Sequence, residues 1–193
     1  MARFAFREHP RVHLRHPVEL AKEDEVVAFY ADVPPLWASI HCAGGFAASA
    51  LTATSLEAWR HQQAGNLDSC FLCCREAVQR IRAAGAGGGR LVNVTARPAL
   101  EPRLGAGLVA YTAAKAGVAA LTQALGEELA AEGIWVNAVV PSTIDTPANR
   151  AAMADADFDR WPKVDELAET IVFLASPANR ATRGGLVPVY GRS

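Results

Sequence analysis

The chain has 193 residues, of which 51% are hydrophobic and 20% are charged, as expected for a soluble globular protein with one sizeable core. The 19 lysine and arginine residues nearly balance the 20 acidic residues, and the net charge of −1 gives no reason to expect a nucleic acid or an anionic membrane as partner. No apolar run is long enough to span a bilayer and no signal peptide is recognisable, so we expect a cytoplasmic protein. The N-terminal arginines, which include Arg3 and Arg7, are interrupted by Pro10 and Pro17 and are predicted to form a solvated segment.

Extended apolar runs alternate with helical patterns, and this alternation predicts an α/β domain with a largely parallel sheet. The predicted strands cover residues 11–14, 37–42, 91–94, 134–140 and 186–190. The predicted helices cover residues 18–30, 54–83, 111–131 and 165–175, the second of them opening on a capping-box motif and weakened at Gly65. Residues 96–107 and 142–163 are predicted loops, and the second is expected to lie over a cleft as a mobile segment.

Tyr111 and Lys115 lie four residues apart in the alanine-rich segment Ala110-Tyr-Thr-Ala-Ala-Lys-Ala-Gly117. A helix places side chains at this spacing on the same face, one turn apart. An ammonium group beside a phenol stabilises the phenolate, and lowering a tyrosine pKa from ~10 to ~7 requires roughly 4 kcal/mol. A tyrosine with such a pKa can exchange a proton with a substrate at neutral pH. An unrelated surface pair has the same spacing, so the pattern alone leaves both interpretations open.

The four cysteines are Cys42, Cys70, Cys73 and Cys74. Cys70 and Cys73 have the C-x-x-C spacing, but they lie inside a predicted helix and no second pair completes a zinc site. We therefore expect no metal site and interpret the thiols as small buried hydrophobic groups.

Several short segments, in a fixed order along the chain, resemble those of a known family. They are Ile40-His-Cys-Ala-Gly-Gly45, Asn66-Leu-Asp-Ser-Cys-Phe71, Arg90-Leu-Val-Asn-Val-Thr95, the Tyr111 and Lys115 pair, Val136-Asn-Ala-Val-Val-Pro141, Ile144-Asp-Thr-Pro147, Phe173-Leu-Ala-Ser176 and Gly184-Gly-Leu-Val-Pro-Val-Tyr-Gly191. Together they resemble the short-chain dehydrogenase/reductase family from about Val12 to the C-terminus. The resemblance implies a Rossmann-like, doubly wound fold with a mostly parallel sheet. It also implies that residues 1–193 form one N-terminally shortened domain.

The resemblance implies an NAD(P)-dependent oxidoreductase that transfers a hydride to or from a carbonyl or alcohol substrate. In this family Tyr111 would donate or accept the proton, and Lys115 would lower the Tyr111 pKa and bind the nicotinamide ribose. Asn66 would hold a water molecule that links Lys115 to solvent. The other residues implied to contact NAD or NADP are Cys42, Ala43, Gly44, Pro141, Ile144 and Thr146.

The resemblance also implies a homodimer or homotetramer, formed through the helix after Tyr111 and the helix of Asn66. Leu121, Leu125 and Leu129 recur every four residues on the first of these helices. This stripe suits a subunit interface and suits packing against the sheet equally well.

Two departures from the family pattern limit these expectations. The family opens with a strand and a glycine-rich turn whose backbone amides hold the cofactor pyrophosphate, whereas residues 1–43 contain no glycine. Without that unit, the predicted strand at residues 37–42 would expose an apolar edge for the N-terminal segment or another chain to cover. The family's catalytic serine is also missing, because the residue at the matching position of this chain is Ala96. Thr95 would replace the serine only if the backbone bulged, since adjacent side chains on a strand point to opposite faces.

Two hypotheses about function remain open at this point. The first is an oxidoreductase of this family whose cofactor binding is weakened by the missing turn. The second is a cofactor-free structural or binding subunit with the same fold. Asn66, Tyr111 and Lys115 favour the enzyme, whereas the missing turn and the missing serine favour the subunit.

Overall fold

The computed structural model describes residues 9–193, so Arg3 and Arg7 of the predicted solvated segment lie outside the described residues. The helices are α1 (Glu23–Ala31), α2 (Leu56–Gln63), α3 (Ser69–Ala84), α4 (Arg97–Leu100), α5 (Val109–Glu128), α6 (Pro147–Ala152) and α7 (Val164–Ala175). The strands are β1 (Ala38–His41), β2 (Gly89–Val94), β3 (Ile134–Pro141) and β4 (Leu186–Val189). Between residues 9 and 193, no helix combines the length and the apolar character that crossing a membrane would require.

The four strands form one parallel sheet in the order β1-β2-β3-β4. Leu91 of β2 is in register with Ser39 on one side and with Val136 on the other. This sheet, flanked by helices, confirms the predicted α/β Rossmann-like fold. Because all strands are parallel, the loops that follow β1, β2 and β3 leave the sheet at the same edge.

Hydrophobic side chains cover both faces of the sheet. On one face α1, α3 and α5 pack around Leu91 and Val136, and on the other α7 packs around Val92 and Val139. Leu129 is buried, and Leu121 and Leu125 pack against the first of these clusters. The leucine stripe of α5 therefore contributes to the core.

The N-terminal part of the chain differs from the prediction. Residues 11–14 form no strand, although they are among the described residues, and α1 begins at Glu23 instead of residue 18. β1 is one edge of the sheet that residues 9–193 form, and the side chain of Ile40 is 45% exposed there. The segment before α1 does not pair with this edge, and a cavity lies between residues of the segment and Ile40 and His41 of β1.

The long helix predicted for residues 54–83 is divided into α2 and α3 by a π-helical turn, Ala64–Asp68. Ser55, not Thr54, caps α2, because the Ser55 Oγ accepts the Ala58 N–H at 3.0 Å. The turn contains Gly65, the predicted weak point. A wider π-helical turn changes the direction of the side chains within it and is frequent at functional sites.

Both predicted loops contain short helices. Residues 96–107 include α4, and residues 142–163 include α6 and the 3₁₀ turn Phe158–Arg160. Asp145 ties the second segment together, because its carboxylate accepts hydrogen bonds from Arg150 and, at 2.7 Å, from Lys163. These hydrogen bonds hold the pKa of Asp145 well below its usual range. The segment predicted to be a mobile loop is thus held by ion pairs.

Candidate functional site

The predicted catalytic pair lies on α5, close to the carboxyl edge of the sheet. α5 begins at Val109, so Tyr111 and Lys115 lie in its first two turns. The Lys115 Nζ is 6.0 Å from the centroid of the Tyr111 ring. The predicted face of the helix is therefore correct, and the two groups are neighbours. Lys115 is only 6% exposed and Tyr111 is half-buried, so the two residues are not an exposed surface pair.

The Lys115 ammonium group is held between two strand ends. Its Nζ donates a hydrogen bond of 2.9 Å to the Val94 carbonyl at the end of β2. A Cβ atom placed on Gly44, in the turn after β1, would lie 3.2 Å from the same Nζ. Lys115 thus connects α5 to the carboxyl ends of β1 and β2.

The expected effect of Lys115 on the pKa of Tyr111 is not found in this structure. Burial disfavours the charged form of each group, so it raises the pKa of Tyr111 and lowers the pKa of Lys115. The lysine Nζ lies beside the tyrosine ring and bonds to the Val94 carbonyl. Desolvation therefore outweighs the attraction that the spacing alone predicts, and the phenol stays protonated at neutral pH.

Asn66 lies in the π-helical turn and is 1% exposed. Its Oδ1 accepts the Gly45 N–H at 3.2 Å, and its Nδ2 donates to the carbonyls of Gly45 and Gln62, both at 3.0 Å. These bonds fix the turn after β1. A Cβ atom on Gly44 would meet the Asn66 Oδ1 at 2.7 Å. The structure therefore brings Asn66 and Lys115 together around Gly44.

The hydroxyl of Thr95 is occupied by a hydrogen bond to the backbone of α5. Its Oγ1 donates a hydrogen bond of 2.6 Å to the Lys115 carbonyl, and the residue is 1% exposed. Ala96 is 6% exposed and immediately precedes α4. Thr95 thus anchors α5 to the end of β2, and Ala96 offers no hydroxyl group.

The remaining residues expected to contact a cofactor lie in two groups. Cys42 and Ala43 are exposed after β1 and line a cavity of about 540 Å³ beside α1 and α3. Pro141 is buried at the end of β3, and Ile144 packs against the core under α7. Thr146 caps α6 by accepting the Asn149 N–H at 3.2 Å. Both groups follow strand ends, on the edge where Lys115 lies.

Sequence reasoning missed two residues near this site. The ring of Phe46 contacts Tyr111 edge to face, with the centroids 5.1 Å apart, although Phe46 itself is 66% exposed. The sequence signal for Phe46 is its position, because it is an aromatic residue directly after the Gly44-Gly45 turn. His41 ends β1, is buried and contacts Asn93 through a 2.8 Å hydrogen bond.

Comparisons with known proteins agree on one family. The family described as enoyl-(acyl carrier protein) reductase matches residues 7–191. A short-chain type dehydrogenase/reductase from Picea abies is 34% identical over 152 residues, which are 73% of this chain and 54% of that protein. The chain spans about half the length of several curated relatives that it matches.

Solved structures show the same relationship. A short-chain type dehydrogenase/reductase from Mycobacterium ulcerans superposes with a TM-score of 0.83 and 26% identity, covering 92% of this chain and 68% of that chain. A protein from Beutenbergia cavernae, described as an NAD(P) dependent gluconate 5-dehydrogenase with bound NADP, superposes with a TM-score of 0.81 and 28% identity. That match covers 90% of this chain and 74% of the other.

Proposed function

This chain belongs to the short-chain dehydrogenase/reductase family, and we propose that it serves hydride transfer between NAD or NADP and a carbonyl or alcohol substrate. The observation that carries the proposal is the convergence of Asn66 and Lys115 on Gly44, beside Tyr111. Two side chains from α5, one from the π-helical turn and a glycine from the turn after β1 lie together at the carboxyl edge of a parallel sheet, where ligands of such folds bind. The NADP bound to the Beutenbergia cavernae protein supports a nicotinamide cofactor.

The residues at this edge fit a nicotinamide cofactor. Because Gly44 has no side chain, the backbone of its turn packs directly against Asn66 and Lys115, and the residues between β1 and Gly44 are the small Cys42 and Ala43. Lys115 uses one N–H to bond Val94, so two further donors are available for the ribose hydroxyls. When bound, the nicotinamide ring would supply or accept the hydride.

Tyr111 is the proposed proton donor in the reductive direction. Its raised pKa keeps the phenol protonated at neutral pH, which is the form that can give a proton to a carbonyl oxygen. The Lys115 Nζ lies next to the tyrosine ring and is positioned by its hydrogen bond to the Val94 carbonyl. Asn66 holds the turn that carries Gly44 and Gly45, so its role is to position the backbone that faces the cofactor.

The test is a titration of the purified chain with NADH and with NADPH, followed by the fluorescence of the reduced nicotinamide. Saturable binding, together with turnover of carbonyl compounds, is the expected result. Tyr111→Phe should retain cofactor binding but reduce kcat by at least about 100-fold, because it removes the proposed acid. Tyr190→Phe is the matched control, since Tyr190 follows β4 and its ring contacts Arg97 instead of Lys115.

A second candidate function is a cofactor-free subunit of the same fold. The position of Ala96 and the orientation of the Thr95 hydroxyl favour it, because neither residue offers a hydroxyl to a substrate. Absence of binding at millimolar NADH and NADPH would support the subunit and contradict the enzyme. Cofactor binding with an unchanged rate in Tyr111→Phe would reject Tyr111 as the proton donor while keeping the cofactor site.

A further inference from the structure

Three metal-binding side chains meet between β1 and α3, beside the cavity. They are His41 at the end of β1, and Cys70 and Cys74, one turn apart on α3. Their ligand atoms all lie within 4.8 Å of one another, and all three residues are buried. The Cys74 Sγ is 3.5 Å from the His41 Nδ1. The C-x-x-C partner Cys73 is not a member of this group, so the C-x-x-C spacing does not identify the cluster.

We propose that His41, Cys70 and Cys74 bind a thiophilic metal ion of the zinc class. Zinc bonds of about 2.3 Å to sulfur and 2.0–2.1 Å to nitrogen, at a tetrahedral angle, place sulfur and nitrogen about 3.5 Å apart and two sulfurs about 3.8 Å apart. The Cys74 Sγ and His41 Nδ1 already have the first separation, 3.5 Å. The other two ligand distances are at most 4.8 Å, so they need to shorten by at most about 1.3 Å, a displacement that a rotation of the Cys70 side chain can supply.

The surroundings provide partners for the outer atoms of these ligands. Coordination through Nδ1 leaves the imidazole proton on Nε2, and the Ser39 Oγ lies 2.9 Å from that atom and accepts it. The Ser39 Oγ in turn lies 3.1 Å from the Tyr30 hydroxyl. A ligating histidine whose second nitrogen donates a hydrogen bond has a fixed tautomer and orientation. The two thiol protons are released to solvent when the thiolates bind the ion.

Asn93 would adjust to the bound ion. Its Oδ1 lies 2.8 Å from the His41 Nδ1 and 3.5 Å from the Cys74 Sγ, and its Nδ2 lies 2.9 Å from the Thr122 Oγ1. An ion bound to Nδ1 would fill the space between Nδ1 and the Asn93 Oδ1, so the Asn93 side chain has to rotate away from His41 when the ion binds. This rotation breaks the bond to Nδ1, and it also changes the bond to the Thr122 hydroxyl, which itself donates to the Val118 carbonyl at 2.8 Å.

The site has access to solvent and an open coordination position. His41 and Cys70 line the cavity of about 540 Å³, which is also bordered by Tyr30 and by the segment before α1. An ion can reach the buried sulfurs through this cavity, and water can occupy its fourth position. Three protein ligands with one open position are characteristic of zinc sites that bind a further molecule.

The experiment titrates the reduced, metal-free chain with Co²⁺ and then with Zn²⁺ under anaerobic conditions. We expect one equivalent of Co²⁺ to bind, with the near-ultraviolet thiolate-to-cobalt charge-transfer band and visible bands of a four-coordinate ion, and Zn²⁺ to displace it. Cys70→Ser and Cys74→Ser should each weaken binding by more than about 100-fold, because even changes to outer partners cost about 10–100-fold. Cys73→Ser is the matched control: it is buried on the same helix and should change affinity less than about 3-fold.

A second measurement uses the unaltered chain and does not depend on the folding of any variant. X-ray absorption at the zinc edge should show two sulfur ligands at about 2.3 Å and a nitrogen ligand at 2.0–2.1 Å. Absence of stoichiometric binding at micromolar metal, or fewer than two sulfur ligands, would overturn the proposal. Equal weakening in Cys73→Ser and Cys74→Ser would do the same.

Discussion

Asn66 and Gly45 form a reciprocal pair of hydrogen bonds, in which the Asn66 side chain binds both backbone groups of the glycine. The Gly45 N–H donates to Oδ1 at 3.2 Å, and Nδ2 donates to the Gly45 carbonyl at 3.0 Å. This arrangement fixes the turn after β1 by a residue 21 positions further along the chain. It also brings Gly44 so close to the Asn66 side-chain amide that no side chain fits at position 44.

Gly44→Ala tests this arrangement. Its Cβ would lie 2.7 Å from the Asn66 Oδ1 and 3.2 Å from the Lys115 Nζ, so Asn66 must move and the turn must shift. We expect a loss of about 1–3 kcal/mol in the free energy of unfolding and at least about a 10-fold weaker NAD(P)H affinity. Gly45→Ala is the control, because a Cβ atom there has no neighbour within 4 Å. Equal effects of the two substitutions would contradict the assigned role of Gly44.

Lys115→Met should stabilise the chain while removing its proposed activity. Lys115 buries an ammonium group that bonds only to carbonyl oxygen among the side-chain contacts of the described residues, and burial lowers its pKa. Methionine has a similar length and no charge to desolvate. We expect a gain of about 1–2 kcal/mol at pH 7, seen as a higher Tm, together with loss of turnover. A lower Tm would show that the bond to Val94 outweighs the cost of the buried charge.

The pH dependence of stability provides a separate check on Lys115. Because its folded pKa lies below the usual 10.5, the unfolded chain binds more protons between these two values, and stability rises with pH across that interval. The destabilisation caused by burying the charged Lys115 is fully present below the folded pKa of this residue and is absent above about pH 10.5. The stability advantage of Lys115→Met should therefore shrink as the pH rises through this window. Urea unfolding of both proteins at several pH values measures it.

Ala96→Ser should increase the proposed activity. Ala96 is the position that we expect to match the family's serine, and it follows β2 by two residues, whereas the neighbouring Thr95 hydroxyl is bonded to the Lys115 carbonyl. A hydroxyl group at position 96 can donate to a reacting carbonyl, and we expect kcat to rise about 10-fold or more. Ala99→Ser, on α4, introduces the same group further from the strand end. If Ala96→Ser binds the cofactor but shows no increase in kcat, position 96 is not where the missing hydroxyl group acts.

Arg90 is stacked between two tryptophans in the body of the sheet. Its guanidinium carbon is 5.0 Å from the Trp37 ring centroid and 4.3 Å from that of Trp135. Its NH2 group donates to the Asn179 carbonyl at 2.6 Å. A lysine cannot stack as a planar group or bond several carbonyls at once.

We expect Arg90→Lys to lower the free energy of unfolding by about 2–3 kcal/mol, measured by urea denaturation. Arg82→Lys is the matched control, because Arg82 forms an exposed ion pair with Glu132 that should contribute at most about 1 kcal/mol. A similar loss in both variants would show that stacking on the tryptophans adds nothing.

The strands and helices near the middle of the chain were predicted closely. Residues 91–94 and 134–140 are parts of β2 and β3, and the predicted helix at residues 165–175 corresponds to α7. These segments are apolar and are buried by the elements packed against them, so their hydrophobic pattern in the sequence is strong. The predicted strand at residues 11–14 was wrong. The segment is short, and in this structure no adjacent strand pairs with it.

The candidate site was predicted in part. Tyr111 and Lys115 are neighbours as their spacing indicates, and Asn66 lies near Lys115 through Gly44. The direction of the pKa change at Tyr111 was not predictable, because it depends on how much water the fold removes from the phenol. The roles of these residues in hydride transfer remain a proposal.

The spacing of residues determined the sheet's main strands and the face of α5 that carries Tyr111 and Lys115, because helices and strands repeat with fixed periods. The tertiary structure decided which groups are desolvated and which distant residues meet. His41 and Cys74 are 33 positions apart, and only the packing of β1 on α3 brings their side chains into contact. Arg90 and Asn179 are 89 positions apart and meet for the same reason. No local period encodes such contacts, since they depend on how whole elements pack.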